Sequence, residues 1–460
     1  MRSWQELRHE LRLLLRESAA LWVSGFVLIV FAVAFWSGIS DQRALERRAT
    51  EARAVVARQT EELIRTLAQI ESGSKERVVP DPTLPSTAAS RTNPYVLKSS
   101  SPLAITAVGE ADVRPSLVRL GNPADPTWVQ DEVLSPLALA SGRFDLAFAV
   151  VAILPLAVIA LMFRLYSGEQ ESGVLSLLES GETPLWALLA QRALLRFILL
   201  AYLVSGAFCA GLLAVGARAP LALAFQWVGS VVAYLAFWFL VCFLVSSLRR
   251  PSGANIVLLI SLWLGLVVLF PAVLNLAVAN LNHGPSPLAI RMRYRALLEH
   301  SEPTPERVRA FYEQYQIAGF PDDHAPAKSL ALREFAQRQV NPDVSALRDA
   351  AKRREHFVRL ASILNPAVAL NTALVTLAGK DGAAFRQFED YLQQESARRA
   401  TYFLPLRLHR QKLTTKDYVS LPSLSAQEPP AKVSVEESGP LLGWCAVLLM
   451  ACAVRINKRI

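Results

Sequence analysis

The chain has 460 residues, a net charge of +9, and 52% hydrophobic residues. Its apolar residues fall in long blocks separated by ordinary polar sequence, which excludes a single water-soluble globule of even composition. The basic excess carries no stripe of base-stacking aromatics, so nucleic acid is not an expected partner.

A block of about 20 apolar residues matches a hydrocarbon core roughly 30 Å thick at 1.5 Å per helical residue. The blocks do not alternate polar with apolar as barrel strands do, so they read as helices. The expected fold class is an all-α polytopic membrane protein. It has six transmembrane helices, an N-terminal interfacial helix, and two periplasmic domains, the second mainly helical.

Residues 1–18 read as a cytoplasmic interfacial helix. Leu7, Leu11, Leu14 and Leu15 recur at helical spacing, with Arg and Glu residues opposite. The first span is 19–39. Ala32-Val33-Ala34 also fits a signal-peptide cleavage pattern, but the block is longer than a usual signal core, so an uncleaved span is the preferred reading. The first outer domain is 40–143. It opens with a charged helix, Asp41 to Ser72, whose seam of Leu45, Val56, Leu63, Leu67 and Ile70 reads as a stalk. Pro80, Pro82 and Pro85 then break it, and the rest reads as loop with short strands or helices.

The second span is 144–163, and a cytoplasmic region, 164–193, follows. Spans three, four and five are 194–215, 221–245 and 254–276. The second outer domain, 282–439, carries helical patterns over Val308–Gln316, Ser329–Val340, Val344–Leu364 and Ala383–Ala400. Boundaries are expected at Pro321, Pro326, Pro342 and Pro366. Asn365–Gly379 is apolar enough for a membrane surface or a partner, although ordinary core is the preferred reading. The sixth span, 440–454, is short. It crosses if Arg455, Lys458 and Arg459 snorkel to the interface, and otherwise is a buried or interfacial helix. The tail is 455–460.

Basic residues near the span ends set orientation. Arg2, Arg8, Arg12, Arg16, Arg164, Arg192, Arg196, Arg249, Arg250, Arg455, Lys458 and Arg459 share one side if there are six crossings. Both termini are then cytoplasmic, in a bacterial inner (plasma) membrane. Cys209, Cys242, Cys445 and Cys452 all fall in spans, so the outer domains fold without disulfides.

Motifs for chemistry on this chain are missing. No GxxxxGK[ST] loop occurs; Gly379-Lys380-Asp381 is the nearest fragment. His9, His283, His300, His324, His356 and His409 form no HExxH, and none pairs with Cys at metal spacing. No GxSxG elbow exists. No charge lies deep within a span, as a proton relay would need. Asn255, Asn275 and Gln226 read as helix-packing contacts.

The most specific segment runs from Arg164 to Pro184. By pattern the segment is either a simple solvated turn or a short amphipathic helix at the bilayer surface, which Glu169 and Glu171 open at its positive dipole end and on which Val174, Leu175 and Leu178 form a small apolar face. Gly181 and Pro184 end it.

This segment resembles the E-x-E-x-G-[TV]-L-x-x-L-L-x-S-x-x-[TS]-P signature of ABC-2-type permeases, the membrane subunits of ABC exporters. Ser135-Pro136-Leu137-Ala138, Gly142-Arg143-Phe144-Asp145 and Leu154-Pro155-Leu156 resemble the approach to the second span in that family. Pro102-Leu103-Ala104, Asn365-Pro366-Ala367 and Leu377-Ala378-Gly379 resemble its branch with two large periplasmic insertions, often labelled multicopper-enzyme maturation permease. Val174 departs from the more common Thr. The resemblance implies a non-catalytic permease subunit that carries no cofactor and docks separate ABC ATPase subunits, which bind the ATP. It implies Glu169, Glu171, Gly173, Leu175, Leu178 and Pro184 as the ATPase-coupling residues. The other implied partners are a second permease copy or sister permease, a periplasmic partner, and membrane lipids. The alternative function is a membrane-anchored periplasmic sensor or scaffold without transport activity. A membrane enzyme is a third reading, without a catalytic constellation to support it.

Overall fold

The computed structural model describes residues 18–74, 78–121, 144–173, 184–216, 219–281, 284–427 and 439–457. The expected N-terminal interfacial helix, Leu175, Leu178, and the 135–138 and 142–143 motifs lie outside these residues.

The chain is mostly helical, and its one sheet among the described residues has two short strands. Among the described residues, five helical segments are long and apolar enough to cross a membrane: Ser18–Glu71, Leu146–Glu171, Leu185–Val215, Leu221–Ser246 and Ser252–Asn280. A shorter apolar helix is Gly439–Arg455.

Helix α1 (Ser18–Glu71) has 54 residues without a break. At 1.5 Å per residue it is roughly 80 Å long, more than twice a hydrocarbon core. The expected stalk is therefore the continuation of the first apolar helix. Beyond it come α2 (Pro85–Arg91), β1 (Tyr95–Leu97) and β2 (Leu117–Arg119). The strands pair antiparallel, with Val96 opposite Val118.

The second apolar segment consists of α3 (Leu146–Phe148), a π-helical stretch Ala149–Ile153, α4 (Leu154–Met162) and a short helix α5 (Ser167–Glu171). Helices α6 (Leu185–Val215) and α7 (Leu221–Ser246) follow. Next are α8 (Ser252–Trp263), a second π-helical stretch Leu264–Leu269, and α9 (Phe270–Leu281). Helix α6 starts at Leu185, so Arg192 and Arg196 sit inside a helix that begins before the expected boundary at 194.

Two prolines account for much of the packing. Proline has no N–H, so Pro155 cannot bond the carbonyl four residues back, Val151. Tyr234 Oη of α7 donates to that carbonyl at 2.9 Å, and Trp263 Nε1 of α8 donates to the adjacent Ala152 carbonyl at 2.9 Å. In π-helical pairing the donor for Leu266 O would be residue 271, again a proline. Asn365 Nδ2 supplies the bond instead, at 2.8 Å.

Asn365 opens α13 (Pro366–Leu377), and its Oδ1 caps the N–H groups of Ala367 and Val368. Helix α13 is buried within the same hydrophobic cluster as the apolar helices, with Leu370 and Leu374 fully enclosed. The preferred core reading of Asn365–Gly379 is the observed one.

The other helices of this region are α10 (Pro287–His300), α11 (Pro305–Gln314), α12 (Ala325–Leu364), α14 (Gly382–Leu408) and α15 (Thr415–Val419). Pro342 does not end a helix as expected; α12 runs through it for 40 residues. An interior proline costs about 3 kcal/mol, but packing on both sides of it holds the helix. Ala336 and Val340 bury against Ile290 and Tyr294 of α10, and Arg293 pairs with Asp343 at 2.5 Å.

The two regions read as separate outer domains share their cores. Val96, Val118 and Leu120 pack on Phe388 and Leu392, and Leu67 and Ala88 pack on Phe403, Leu413 and Tyr418. Helix α16 (Gly439–Asn457) closes the bundle along α7.

Asn365→Leu removes both the cap and the Leu266 bond. It is expected to destabilise the detergent-solubilised protein by about 1–3 kcal/mol, read as a lowered thermal midpoint.

Candidate functional site

The ends of five apolar segments meet at the arginine-rich end of the bundle. Helix α5 holds an elbow there between α4 and α6. Glu169 pairs with Arg192 of α6 at 2.6 Å, with both side chains about three-quarters buried. Glu171 Oε1 accepts the Ser252 N–H at 2.9 Å. Ser252 is the first residue of α8, so this carboxylate satisfies an orphan donor at a positive dipole end. Arg164 lies 3.9 Å from Glu171. Arg196 of α6 donates to Leu161 O of α4 at 2.7 Å.

The structure thus brings Glu169 and Glu171 together but changes their setting. Glu171 is the last residue of its helix rather than part of a first turn running on towards Leu178. It caps a different helix, α8. Gly173 follows with φ +74, a left-handed position where any side chain is strained, although an added Cβ would meet nothing within 4 Å. Pro184 is the N-cap residue of α6. Leu175 and Leu178 lie outside the described residues.

The packing residues divide. Asn255 is fully buried, and Nδ2 donates to Arg250 O at 3.4 Å. Asn275 is exposed. The α8–α9 segment leaves Val257, Leu269, Val273 and Leu276 more than half exposed.

At the opposite end, residues 98–110 clasp the C-terminus of α13. Three carbonyls there receive donors from a sequence-distant segment. Ser101 Oγ donates to Leu377 O at 2.7 Å, Lys98 Nζ to Gly379 O at 2.6 Å, and Glu110 N to Lys380 O at 2.9 Å. Gly379-Lys380-Asp381 is therefore a helix end followed by the N-cap of α14, not part of a phosphate loop. The clasp requires close approach: a Cβ on Gly109 would lie 2.6 Å from Lys380 O, and one on Gly38 of α1 would collide with Ile105 O.

Charges gather around this clasp. Arg114 lies 3.1 Å from Glu110 and 3.5 Å from Glu389, and Arg386 pairs with Glu355. Burial raises the carboxyls of Glu110, Glu389 and Asp381 above their ordinary values, against the pull of neighbouring arginines or backbone N–H groups. Burial lowers Lys98 to about 8. Spacing did not reveal this cluster, because its members come from three distant segments. Among the described residues, no group of three or more His, Cys, Asp or Glu side chains could hold a metal ion.

Comparison with known proteins gives one family. Residues 289–427 match the domain of unknown function DUF3526. That stretch covers most of α10 and all of α11–α15, hence both the Asn365 dock and the α14 side of the clasp. No curated protein and no solved structure matches the chain.

Carboxyls raised on folding bind protons more tightly in the folded state. Their contribution is fully present below the ordinary carboxylate range and is lost as pH rises through the raised values. Lys98 has the opposite sign: its contribution is present above 10.5 and is lost as pH falls through about 8. Hydrogen exchange of residues 98–114 and 378–390 should therefore slow as pH is lowered from neutral towards 4.5, after correction for intrinsic exchange. Glu110→Gln should flatten that dependence.

Proposed function

We propose that this chain is the permease subunit of an ABC exporter of the ABC-2 type, with a separate ATPase docking on the elbow around α5. In this reading α16 is the sixth span, both termini are cytoplasmic, and the clasped region lies on the periplasmic side of a bacterial inner membrane. The observation that carries the proposal is the wiring of the elbow. Glu169 ties it to α6 and Glu171 ties it to α8, while α4 runs directly into it. A push on the elbow therefore reaches three apolar segments through short polar contacts and one continuous chain.

The resemblance of the Arg164–Pro184 segment to the permease signature supports the same assignment. So does the gathering of arginines at the elbow end, which the positive-inside tendency places in the cytoplasm. The exposed apolar face of α8–α9 suits lipid or a second permease. With Asn365 holding Leu266, movement of α8–α9 also reaches α13 and the clasp.

Three outcomes test the proposal. The purified chain alone should hydrolyse no ATP, and should co-purify with a nucleotide-binding subunit encoded beside it. Reporter fusions near Arg77, Arg218 and Arg348 should report the outer side, and fusions near Gly173, Arg250 and the C-terminus the cytoplasm.

Leu175→Asp and Gly173→Pro should leave membrane insertion intact while ATPase binding and transport fall together. Glu169→Gln should also lower transport, because it takes the charge from a three-quarters-buried pair that ties the elbow to α6. Normal ATPase binding and transport by Leu175→Asp would remove the elbow as the coupling element.

A further inference from the structure

The elbow end of the bundle contains a cavity of about 230 Å³ that the coupling contacts do not use. Leu165, Leu189 and Phe243 give it apolar walls, and Ser246, Arg249 and Arg455 give it polar ones. These residues come from the α4–α5 link, α6, α7, the turn after α7, and α16.

Two of the polar groups are buried without satisfaction. Ser246 Oγ and Arg455 Nε have no hydrogen-bond partner among the described residues, and Ser246 is only 3% exposed. A buried polar atom left unpaired costs about 1–3 kcal/mol, more when it belongs to a charged group. Two such atoms on one cavity wall point to an acceptor between them.

The third polar group is held in place by its backbone. Arg249 has φ 56, a left-handed conformation unusual for a residue with a side chain, and its guanidinium lies 5.5 Å from the Tyr166 ring centre. Of the described carboxylates of the elbow, Glu169 pairs with Arg192 and Glu171 accepts the Ser252 N–H. Arg249 and Arg455 thus place two cationic side chains on the cavity wall. Trp186, 42% exposed, stands at the rim, where indole rings favour the headgroup level of a bilayer.

We propose that this cavity binds the headgroup phosphate of an anionic phospholipid. Arg455 and Arg249 supply charge-assisted donors to the phosphate oxygens, and Ser246 Oγ donates to a third acceptor. Leu165, Leu189 and Phe243 receive the first methylenes below the headgroup. The volume suits a headgroup and the top of its chains, not a whole lipid. Because one lipid touches α6, α7 and α16 together, it clamps the end of α16. The site does not depend on ATPase docking, so its failure and the failure of the permease reading are distinguishable.

The test is native mass spectrometry of the full chain in detergent, titrated with phosphatidylglycerol or with phosphatidylcholine of the same acyl chains. The phosphatidylglycerol adduct should be favoured by about thirtyfold, given two arginines at roughly 1 kcal/mol each beyond what the zwitterion recovers. Arg249→Gln with Arg455→Gln should reduce the preference to about twofold or less. Arg353→Gln, in the clasped region, should leave it unchanged. Photoactivatable phosphatidylglycerol on the wild-type chain should label peptides containing Trp186 and Cys452, which tests the site without any variant needing to fold.

Equal adducts with both lipids would overturn the proposal. So would a preference that survives the double substitution, or photolabel confined to other helices. Displacement of phosphatidylglycerol by millimolar inorganic phosphate would assign the cavity to a free anion and equally overturn the lipid.

Discussion

A carbonyl freed inside an apolar bundle has to find a donor from elsewhere in the protein, and much of this structure follows from that constraint. Proline cannot donate, and each π-helical stretch shifts the pairing register of its helix. Tyr234 and Asn365 supply the missing bonds to Val151 and Leu266, and Trp263 adds a donor to the neighbouring Ala152 carbonyl. Each donor comes from a different helix. The bonds that repair the backbone are therefore also the bonds that fix how α4, α7, α8 and α13 sit against one another. Such repair is what lets helices containing proline survive where water cannot reach.

The same logic operates at the ends of helices. The last carbonyl of α13 and two in the turn after it are satisfied by Ser101, Lys98 and the Glu110 backbone, all from the region before the second apolar segment. The first N–H of α8 is satisfied by Glu171 of the elbow. Helix ends leave orphan groups, and here the partners are borrowed across long sequence distances. The result is a continuous mechanical path. The elbow holds α8, the π-stretch beyond α8 holds Asn365, and α13 ends in the clasp with its buried charges. In the permease reading, this path joins the ATPase side to the outer region.

Legibility from sequence differs by feature. The five apolar segments could be placed because about 20 apolar residues in a row leave little alternative. The stalk was legible because its charged, leucine-spaced pattern continues the first block without a breaker. Pro342 misled, because its local cost is real and only contacts made by α10 offset it. The glutamates of the elbow were singled out by the resemblance of their segment to the permease signature, but their partners were not. Arg192 lies 23 residues from Glu169 and Ser252 lies 81 residues from Glu171, and no local pattern encodes those distances.

The sequence by itself determined the helical class, the apolar segments, the arginine-rich ends and the elbow between the second and third segments. These follow from hydrophobicity, helical period and local breakers, which act over a few turns. The tertiary structure alone decided which polar group meets which. It placed Asn365 on Leu266, merged the two regions read as outer domains into shared cores, and set Ser246, Arg249 and Arg455 around one cavity. Burial makes such groups choose partners wherever folding brings them within about 3 Å. That choice depends on distance in space, which the order of residues does not state.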